Sequence, residues 1–495
     1  MTRARWAAGW LAPLALGAVL TLVYVATLLP ATGVFGDTSL YQFQGPLLGL
    51  NLTGYPQYTL ATFLFGWLWP AGSLAWRVSL FSAVCAVGAC LVVYALLRRL
   101  AVGRGLAGLS ALTFGLSLTF WSQAVIAEVY ALNALWVAVV LLAWLRWAEQ
   151  PDEGRLFDAG LAYAFSFGNH LTMVTLAPAL AFLLWHRAPQ GMLLRGRTWL
   201  GLACCAVIGL AQYAYVFWRT LDPETAYLSL VCDDPATFFR AVTGGGTELQ
   251  GLMVAHPWQR VVFGEGWGYV KHLLREFYVL PMALIAWGAG VRPGWRAAFL
   301  ALAFLGELFF ALNYAIPDIR FYYIPTFLIA TVWLGLGAQD LLGRWPALSR
   351  GWWWLGLLPA AMLVGNFAPN DRSRDDAMDR RVQATLAAVG GNALIVTPEY
   401  TETMAFTYHL LAEGWQARNI WRWDSGAGFR QDVRPVVMYL QRGAPLQVPQ
   451  QRRVVPAGLA VYCTSADQVA AFASLGVRCE RVAPDVWRVG RWAKP

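Results

Sequence analysis

The chain has 495 residues, of which 58% are hydrophobic and only 13% are charged, and its mean hydropathy is +0.48. This composition excludes a soluble protein and indicates one that crosses a membrane several times. The formal net charge of +9 would suit a nucleic-acid binder, but the arginines gather on alternate loops. The charge therefore indicates membrane topology, and we expect no nucleic-acid partner.

Apolar runs of about 20 residues, the length that crosses the hydrocarbon core of a bilayer, recur along most of the chain. Within a bilayer such runs satisfy their backbone groups as helices. The sequence predicts a polytopic α-helical membrane protein with about eleven transmembrane helices, at 7–30, 74–97, 105–123, 130–147, 156–169, 171–186, 198–219, 267–289, 296–315, 322–343 and 352–367.

The loop arginines also predict an orientation. With the N-terminus in the cytoplasm, the cytoplasmic loops hold most of the arginines, as the positive-inside rule requires. This places Asp37 and the C-terminal tail on the extracytoplasmic side of a bacterial inner membrane. The first apolar segment is longer than the roughly 7–15 apolar residues of a signal peptide, so we expect a membrane anchor there.

Two domains follow from this pattern. Residues 1–367 are predicted to form a transmembrane domain with outer loops at 31–73 and 220–266, the first of which contains a short interfacial helix at 58–69. Residues 368–495 are predicted to form an extracytoplasmic α/β domain. Its predicted elements are strands at 393–397 and 459–463, a helix at 402–413, and a second helix from the N-cap Ser465 to Gly476.

Cys463 and Cys479 lie in this tail, on strands that we predict to be neighbours. An oxidising compartment would favour a disulfide between them, and two free thiols are the alternative.

Asp37 follows the first apolar segment directly, so its carboxylate would lie at the membrane surface or in a cavity beneath it. An ionisable residue in such a place is a functional-site hypothesis by default, because desolvating an unpaired charge is costly. The alternative is that Asp37 only caps a helix that begins near Ser39.

Other polar groups collect at the predicted outer turns, each with a structural alternative. Glu128 could cap the fourth span, and His170 could be a hydrogen-bonded interfacial residue. Arg77 could extend to the lipid headgroups, and Arg320 could pair with Asp318.

Several motifs together resemble a known family. They are Asp37 in the first outer loop, Gly54-Tyr55-Pro56-Gln57-Tyr58, Trp76-Arg77, the string from Phe120 to Asn133, Asn169-His170-Leu171-Thr172 and Ile316-Pro317-Asp318. The chain resembles the protein O-mannosyltransferase-like GT-C membrane glycosyltransferases, a family formerly catalogued as a domain of unknown function (glycosyltransferase family 117). Members often carry His-Pro-Pro before Gly-Tyr-Pro, whereas this chain has Asn51-Leu52-Thr53.

The resemblance implies an inverting hexosyltransferase that takes mannose or a similar sugar from a polyprenyl-phosphate donor. Asp37 is then the expected general base, with Glu128 as a second catalytic residue. Residues expected to bind the donor phosphate are Arg320, His170 and Arg77. Residues expected to bind substrate are Tyr41, Tyr55, Tyr130, Asn133, Asn169 and Asp318.

The expected partners are this lipid-linked donor, a protein or glycan acceptor, and membrane lipids, with no cofactor. Asp37, Glu128 and the pair Asp233-Asp234 could in principle hold a hard cation, but no spacing requires one and we expect no metal. The main alternative function is a transporter or flippase of a lipid-linked saccharide, although the sequence shows no repeat of the kind such proteins carry. A receptor or scaffold would leave Asp37 and Glu128 without a chemical role.

Overall fold

A computed structural model describes residues 3–33, 36–50, 55–222, 224–225, 227, 234–242, 257–291, 293–350, 352–425, 432–448 and 451–490. Its first part is helical. The helices are α1 Arg3–Ala26, α2 Thr38–Gln44, α3 Pro56–Leu68, α4 Leu74–Arg99, α5 Arg104–Gly115, α6 Leu118–Ala124, α7 Tyr130–Glu149, α8 Glu153–Ser166, α9 Ala177–Arg187, α10 Gly196–Leu221, α11 Pro235–Val242, α12 Trp258–Arg260, α13 Gly266–Phe277, α14 Val279–Gly290, α15 Trp295–Leu312, α16 Ile319–Tyr322, α17 Ile324–Arg344, α18 Pro346–Ser349 and α19 Leu357–Asn370. Short 3₁₀ segments at Leu171–Leu176, Met192–Leu194 and Trp352–Gly356, and a π-helical turn at Val261–Glu265, lie between them.

Each predicted span falls on helical structure. The predicted number of membrane crossings is, however, larger than the number of helices that are long enough to cross a membrane. In the described chain, five helices are long and apolar enough to cross a membrane, or up to six if the pair α5 and α6 is one span. Other predicted spans consist of two pieces. The span at 267–289, for example, breaks at Tyr278, whose φ of 60° interrupts the helix. The protein is thus a multi-pass membrane protein, and a crossing by each shorter segment stays a prediction.

The bend between α5 and α6 brings α6 to the functional face. The two helices meet at 71°, and the carboxylate of Glu276 accepts a hydrogen bond from the backbone N–H of Thr119 at 3.0 Å. This carboxylate lies at the N-terminus of α6, where free N–H groups and the helix dipole favour negative charge. Glu276 therefore caps α6 from another helix and stabilises the bend.

Two glycines allow α14 and α17 to approach closely. A Cβ atom on Gly288 would lie 1.8 Å from the Trp333 carbonyl oxygen, and one on Gly337 would lie 2.1 Å from the Leu284 carbonyl oxygen. Small residues at such a crossing let two backbones pack directly, which stabilises helix pairs in membranes.

The C-terminal region is a mixed α/β unit. Its helices are α20 Ala377–Val389, α21 Tyr400–Ala412, α22 Arg434–Arg442 and α23 Ala466–Ser474, with a 3₁₀ turn at Trp415–Arg418. Its strands are β1 Ala393–Thr397, β2 Ile420–Asp424, β3 Gln447–Val448, β4 Arg453–Val454, β5 Ala460–Cys463, β6 Cys479–Ala483 and β7 Val486–Val489. The predicted strands, the helix near 402 and the Ser465 N-cap, which accepts from the Gln468 N–H, are confirmed.

Five strands form one sheet in the order β2-β1-β5-β7-β6. Strand β1 pairs in parallel with β2 and β5, while β7 is antiparallel to β5 and β6. Alternate β1 side chains face opposite layers: Leu394 and Val396 pack with α22 and α23, and Ala393 and Ile395 pack with α20 and α21. The prediction that Cys463 and Cys479 lie on neighbouring strands is wrong, because β7 lies between β5 and β6. No disulfide joins the two cysteines in the structure, although their thiol groups contact each other.

Helix α21 joins the C-terminal region to the membrane region. Its residues Met404 and Tyr408 pack with Leu40 and Phe43 of α2 and with Ala75 at the start of α4. The tail therefore rests on the first loop of the membrane region, close to Asp37. The predicted boundary at residue 367 stays a prediction, and α19 continues past it to Asn370.

Candidate active site

Asp37 occupies the N-cap position of α2, but its side chain does not cap that helix. The carboxylate instead accepts a hydrogen bond from the Tyr400 hydroxyl, with 2.6 Å between Oη and Oδ1. The alternative that Asp37 only caps a helix is therefore not what the structure shows. The carboxylate is half-buried at the wall of a cavity.

Glu128 lies beside Asp37 in the turn between α6 and α7. Its side chain is 7% exposed, and its carboxylate accepts hydrogen bonds from the backbone N–H groups of Asp37 and Val129. Gly36 allows the turn of the chain beside Asp37, since its φ of +49° is a conformation that residues with side chains rarely adopt. Glu128 thus fixes the Asp37 loop to the start of α7 and does more than cap a helix.

The two acids differ in how readily they ionise. Burial raises the pKa of Asp37, the hydrogen bond from Tyr400 opposes that rise, and the negative charge of Asp318 adds to it. Burial raises the pKa of Glu128 well above its usual range, and the charges of Asp37 and Asp318 raise it further. Because neighbouring carboxylates resist ionising together, the more deeply buried Glu128 is the acid that holds a proton more readily, and Asp37 is the one that ionises more readily.

The cavity that these acids line has a volume of about 590 Å³. Arg320 and Arg372 line it as well, so the cavity wall carries two cationic side chains in addition to the two carboxylates. Among the described residues Arg320 makes no ion pair with Asp318, and its guanidinium lies 4.7 Å from the centre of the Phe321 ring. The cavity can therefore accept a ligand that carries both an anionic group and a hydroxyl.

Aromatic side chains form much of the cavity wall. Tyr41, Tyr55, Tyr130 and Tyr322 all contribute, with ring centres 6.0 Å apart for Tyr41 and Tyr55 and 5.6 Å apart for Tyr130 and Tyr322. Aromatic faces beside polar groups are suited to contact with a bound small molecule. The structure brings the predicted residues Tyr41, Tyr55, Tyr130, Asp318 and Arg320 together around Asp37 and Glu128.

His170 and Arg77 lie away from this cavity. His170 is buried behind the wall near Tyr55 and Tyr322, and its Nδ1 lies 2.8 Å from the Thr172 hydroxyl oxygen. Burial lowers the pKa of His170 to about 4, so the ring is neutral at neutral pH. The Arg77 guanidinium donates to the carbonyl oxygens of Gly66 and Gly72. The geometry does not place either side chain where a cavity ligand would touch it, which corrects the expectation that they bind an anion there.

Two predicted amides also lie outside the cavity wall. Asn169 is buried and donates to the Val129 carbonyl oxygen at 3.3 Å. Asn133 is buried on α7, one turn beyond the residues that line the cavity. Asn169 therefore supports the turn that holds Glu128, and neither amide lines the cavity, where substrate contact was predicted.

Tyr400 and Arg372 line the cavity but were not predicted from the sequence. Tyr400 lies three residues after Thr397, the last residue of β1, and side chains that follow the carboxyl ends of parallel strands often form ligand sites. This position was the one signal available in the sequence. Arg372 comes just after α19 and donates to the Pro369 carbonyl oxygen, with Asp375 as an ion-pair partner.

In the part of the chain that the structure describes, no three His, Cys, Asp or Glu side chains are grouped as metal ligands would be. Of the candidate oxygen ligands, Asp233 lies outside the described residues. Asp234 accepts from the N–H groups of Ala236 and Thr237 and so belongs to the turn at the start of α11.

A comparison with protein families tests the predicted family resemblance. Residues 51–192 match the family model for the "Protein O-mannosyl-transferase TMEM260 N-terminal domain". The predicted family resemblance is confirmed. The TMEM260-like segment contains Glu128 and the tyrosines at 55 and 130, whereas Asp37, Asp318 and Arg320 lie outside it.

One relative is the protein O-mannosyl-transferase TMEM260 of Mus musculus, which is 34% identical over 119 residues. That match covers 24% of this chain and 17% of the mouse protein. The similarity is therefore confined to a small part of both chains.

Solved structures extend the likeness to the whole chain at the level of fold. Two crystal structures of ArnT from Cupriavidus metallidurans, one in the apo state and one bound to undecaprenyl phosphate, match with a TM-score of 0.60. Each covers 98% of this chain and 98% of ArnT at 14% sequence identity. The chain thus has an ArnT-like fold over nearly its whole length, outside as well as inside the TMEM260-like segment.

Proposed function

We propose that the protein is an inverting glycosyltransferase that moves a hexose, such as mannose, from a polyprenyl-phosphate donor to a hydroxyl group of a protein or glycan acceptor. One observation carries the proposal: Asp37 and Glu128 line the same cavity as Arg320 and Arg372. Carboxylates suit removal of a hydroxyl proton, and arginines suit a phosphate. The ArnT-like fold supports it, since ArnT was crystallised with undecaprenyl phosphate.

Asp37 acts as the general base in this scheme. The acceptor hydroxyl loses its proton to the Asp37 carboxylate while its oxygen attacks the anomeric carbon. The bond from that carbon to the phosphate oxygen breaks, and the lipid phosphate leaves with the electron pair. A single displacement of this kind inverts the anomeric configuration.

Glu128 supports the base without taking the proton itself. Its carboxyl group accepts the Asp37 backbone N–H and so holds the loop in position. Because burial and the neighbouring acids favour its protonated form, it leaves Asp37 as the charged member of the pair.

Arg320 stabilises the leaving phosphate as negative charge builds on it. Its guanidinium is exposed at the cavity wall and has no carboxylate partner among the described residues. Charge-assisted hydrogen bonds from arginine to phosphate are strong and directional. Arg372 lines the same cavity and is the second candidate for this contact.

Reconstituted protein tests the proposed reaction against transport. Purified protein in proteoliposomes is supplied with polyprenyl-phosphate mannose or glucose and with peptide and glycan acceptors, and nucleotide mannose serves as the control donor. We expect sugar on the acceptor from the lipid-linked donor only. Movement of the intact donor across the bilayer without transfer would instead favour the flippase, and transfer from the nucleotide sugar would refute the donor class.

A further inference from the structure

We propose that the C-terminal region completes the active site by supplying Tyr400, a positioning residue that holds the carboxylate of Asp37. This inference rests on the proposed function, because it assigns Asp37 the role of base. It gives the C-terminal α/β region a part in the reaction as well as a place beside the membrane region.

The contact is direct and spans the chain. The Tyr400 hydroxyl donates to Asp37 Oδ1 at 2.6 Å, although 363 residues separate the two. Burial and the adjacent charge of Asp37 raise the pKa of Tyr400, so its hydroxyl keeps the proton that it donates. A fixed donor on one carboxylate oxygen restrains rotation of the group and leaves the second oxygen to accept a proton from the substrate.

The position of Tyr400 follows from the register of α21. Tyr400, Met404 and Tyr408 are spaced four residues apart, so they lie along one face of the helix. Met404 and Tyr408 pack in the same cluster as Leu40 and Phe43 of α2. Docking of this face places Tyr400, at the first turn of α21, beside Asp37 at the first turn of α2.

The opposite side of α21 fixes the helix to its own region. Phe406 and Leu410 are buried in the cluster that contains Ile395 of β1. Tyr400 is therefore carried on a helix that is packed on two sides. Such a rigid support is what precise placement of a side chain requires.

Polar contacts on both sides of the Asp37 loop hold the two regions together. The Tyr408 hydroxyl accepts from the Ala75 N–H at 3.1 Å. Thr32 donates to Asp379 Oδ1 of α20, also at 3.1 Å. These contacts lie before and after Asp37 in sequence, so they attach the segments on both sides of it to the C-terminal region.

Tyr400→Phe in the full-length protein tests the role, with Tyr408→Phe as the matched control on the same face of α21. The assay measures kcat/KM for polyprenyl-phosphate mannose across pH 4–9, together with the melting temperature of each variant. A donor hydrogen bond stabilises the charged form of Asp37. Its loss should move the acid limb of the profile up by about one pH unit, and should lower kcat/KM on that limb about tenfold. Tyr408→Phe should keep the wild-type limb.

A double variant separates positioning from folding. In an Asp37→Asn background, Tyr400→Phe should change the residual rate less than about twofold, because its effect passes through Asp37. Acid limbs that coincide for Tyr400→Phe and wild type would overturn the role of Tyr400 but leave the proposed function standing. An equal shift in Tyr408→Phe would overturn it too, since the cause would then be loosened docking. Absence of transfer by the wild type at every pH would overturn the proposed function and this role with it.

Discussion

Replacement of His409 by glutamine should remove a pH-dependent part of the stability of the C-terminal region. His409 is fully buried on α21. Its Nε2 lies 3.1 Å from Asp379 Oδ1, and its Nδ1 lies 2.6 Å from Glu413 Oε2. Burial opposes protonation of the ring, but the two carboxylates beside its nitrogen atoms outweigh burial and raise the pKa of His409 to about 9.

The size of the effect follows from that pKa. The ordinary pKa of histidine is 6.5 and the folded-state pKa is about 9, and each unit corresponds to about 1.4 kcal/mol. The protonated ring therefore contributes about 3 kcal/mol to the free energy of unfolding. Since the folded-state pKa lies above the unfolded one, this contribution is complete below pH 6.5 and is lost as the pH rises through about 9.

Differential scanning fluorimetry of the purified full-length protein measures this directly. The melting temperature of the wild type should exceed that of His409→Gln by several degrees at pH 6. The gap should narrow through pH 8 and close near pH 10. A gap that stays constant from pH 6 to pH 10, or one that widens, would refute the assignment of a charged His409 between two carboxylates.

Two further predictions concern the cavity. Glu128→Gln should retain kcat/KM within about tenfold of wild type, because the amide oxygen can still accept the Asp37 N–H. Glu128→Ala should lose considerably more activity, because it leaves that donor unpaired. Equal losses of kcat/KM in steady-state assays of both variants would give Glu128 a proton-transfer role. Arg320→Ala should raise the KM for the lipid-linked donor about 10-fold to 100-fold. Arg77→Ala should leave that KM unchanged, because Arg77 donates to backbone carbonyl oxygens. A higher donor KM in Arg77→Ala would contradict the assignment of donor binding to Arg320 and not to Arg77.

Most helices and strands could be predicted because the features that favour them, such as β-branched runs and helix caps, lie within a few neighbouring residues. The strand at 393–397 and the Ser465 cap were predicted from β-branched composition and capping chemistry, and both are present. Hydropathy could not reveal the bend after Gly115, since a kinked segment and a straight one have the same composition. The contact from Glu276 that stabilises this bend comes from a distant helix.

The site was predicted only in part, for a related reason. Asp37 was selected because an acid near a membrane is costly, and Glu128 because it lies inside the Phe120–Asn133 string of the family resemblance, and the two do lie together. The sequence could not show the direction of a side chain at a helix end, so it also selected Arg77 and His170, which point elsewhere. Tyr400 was missed because its contact with Asp37 depends on how α21 docks on α2, and its position shortly after a predicted strand does not indicate that docking.

The rate of sugar transfer by Asp37→Asn tests the central claim most directly. Polyprenyl-phosphate mannose and a responsive acceptor are supplied to the purified variant, with Asp158→Asn, an exposed acid on α8, as the control. Loss of a general base should lower kcat about 10²- to 10⁴-fold, while the control should transfer at the wild-type rate. A rate for Asp37→Asn within about twofold of wild type would contradict the role of Asp37 as the base.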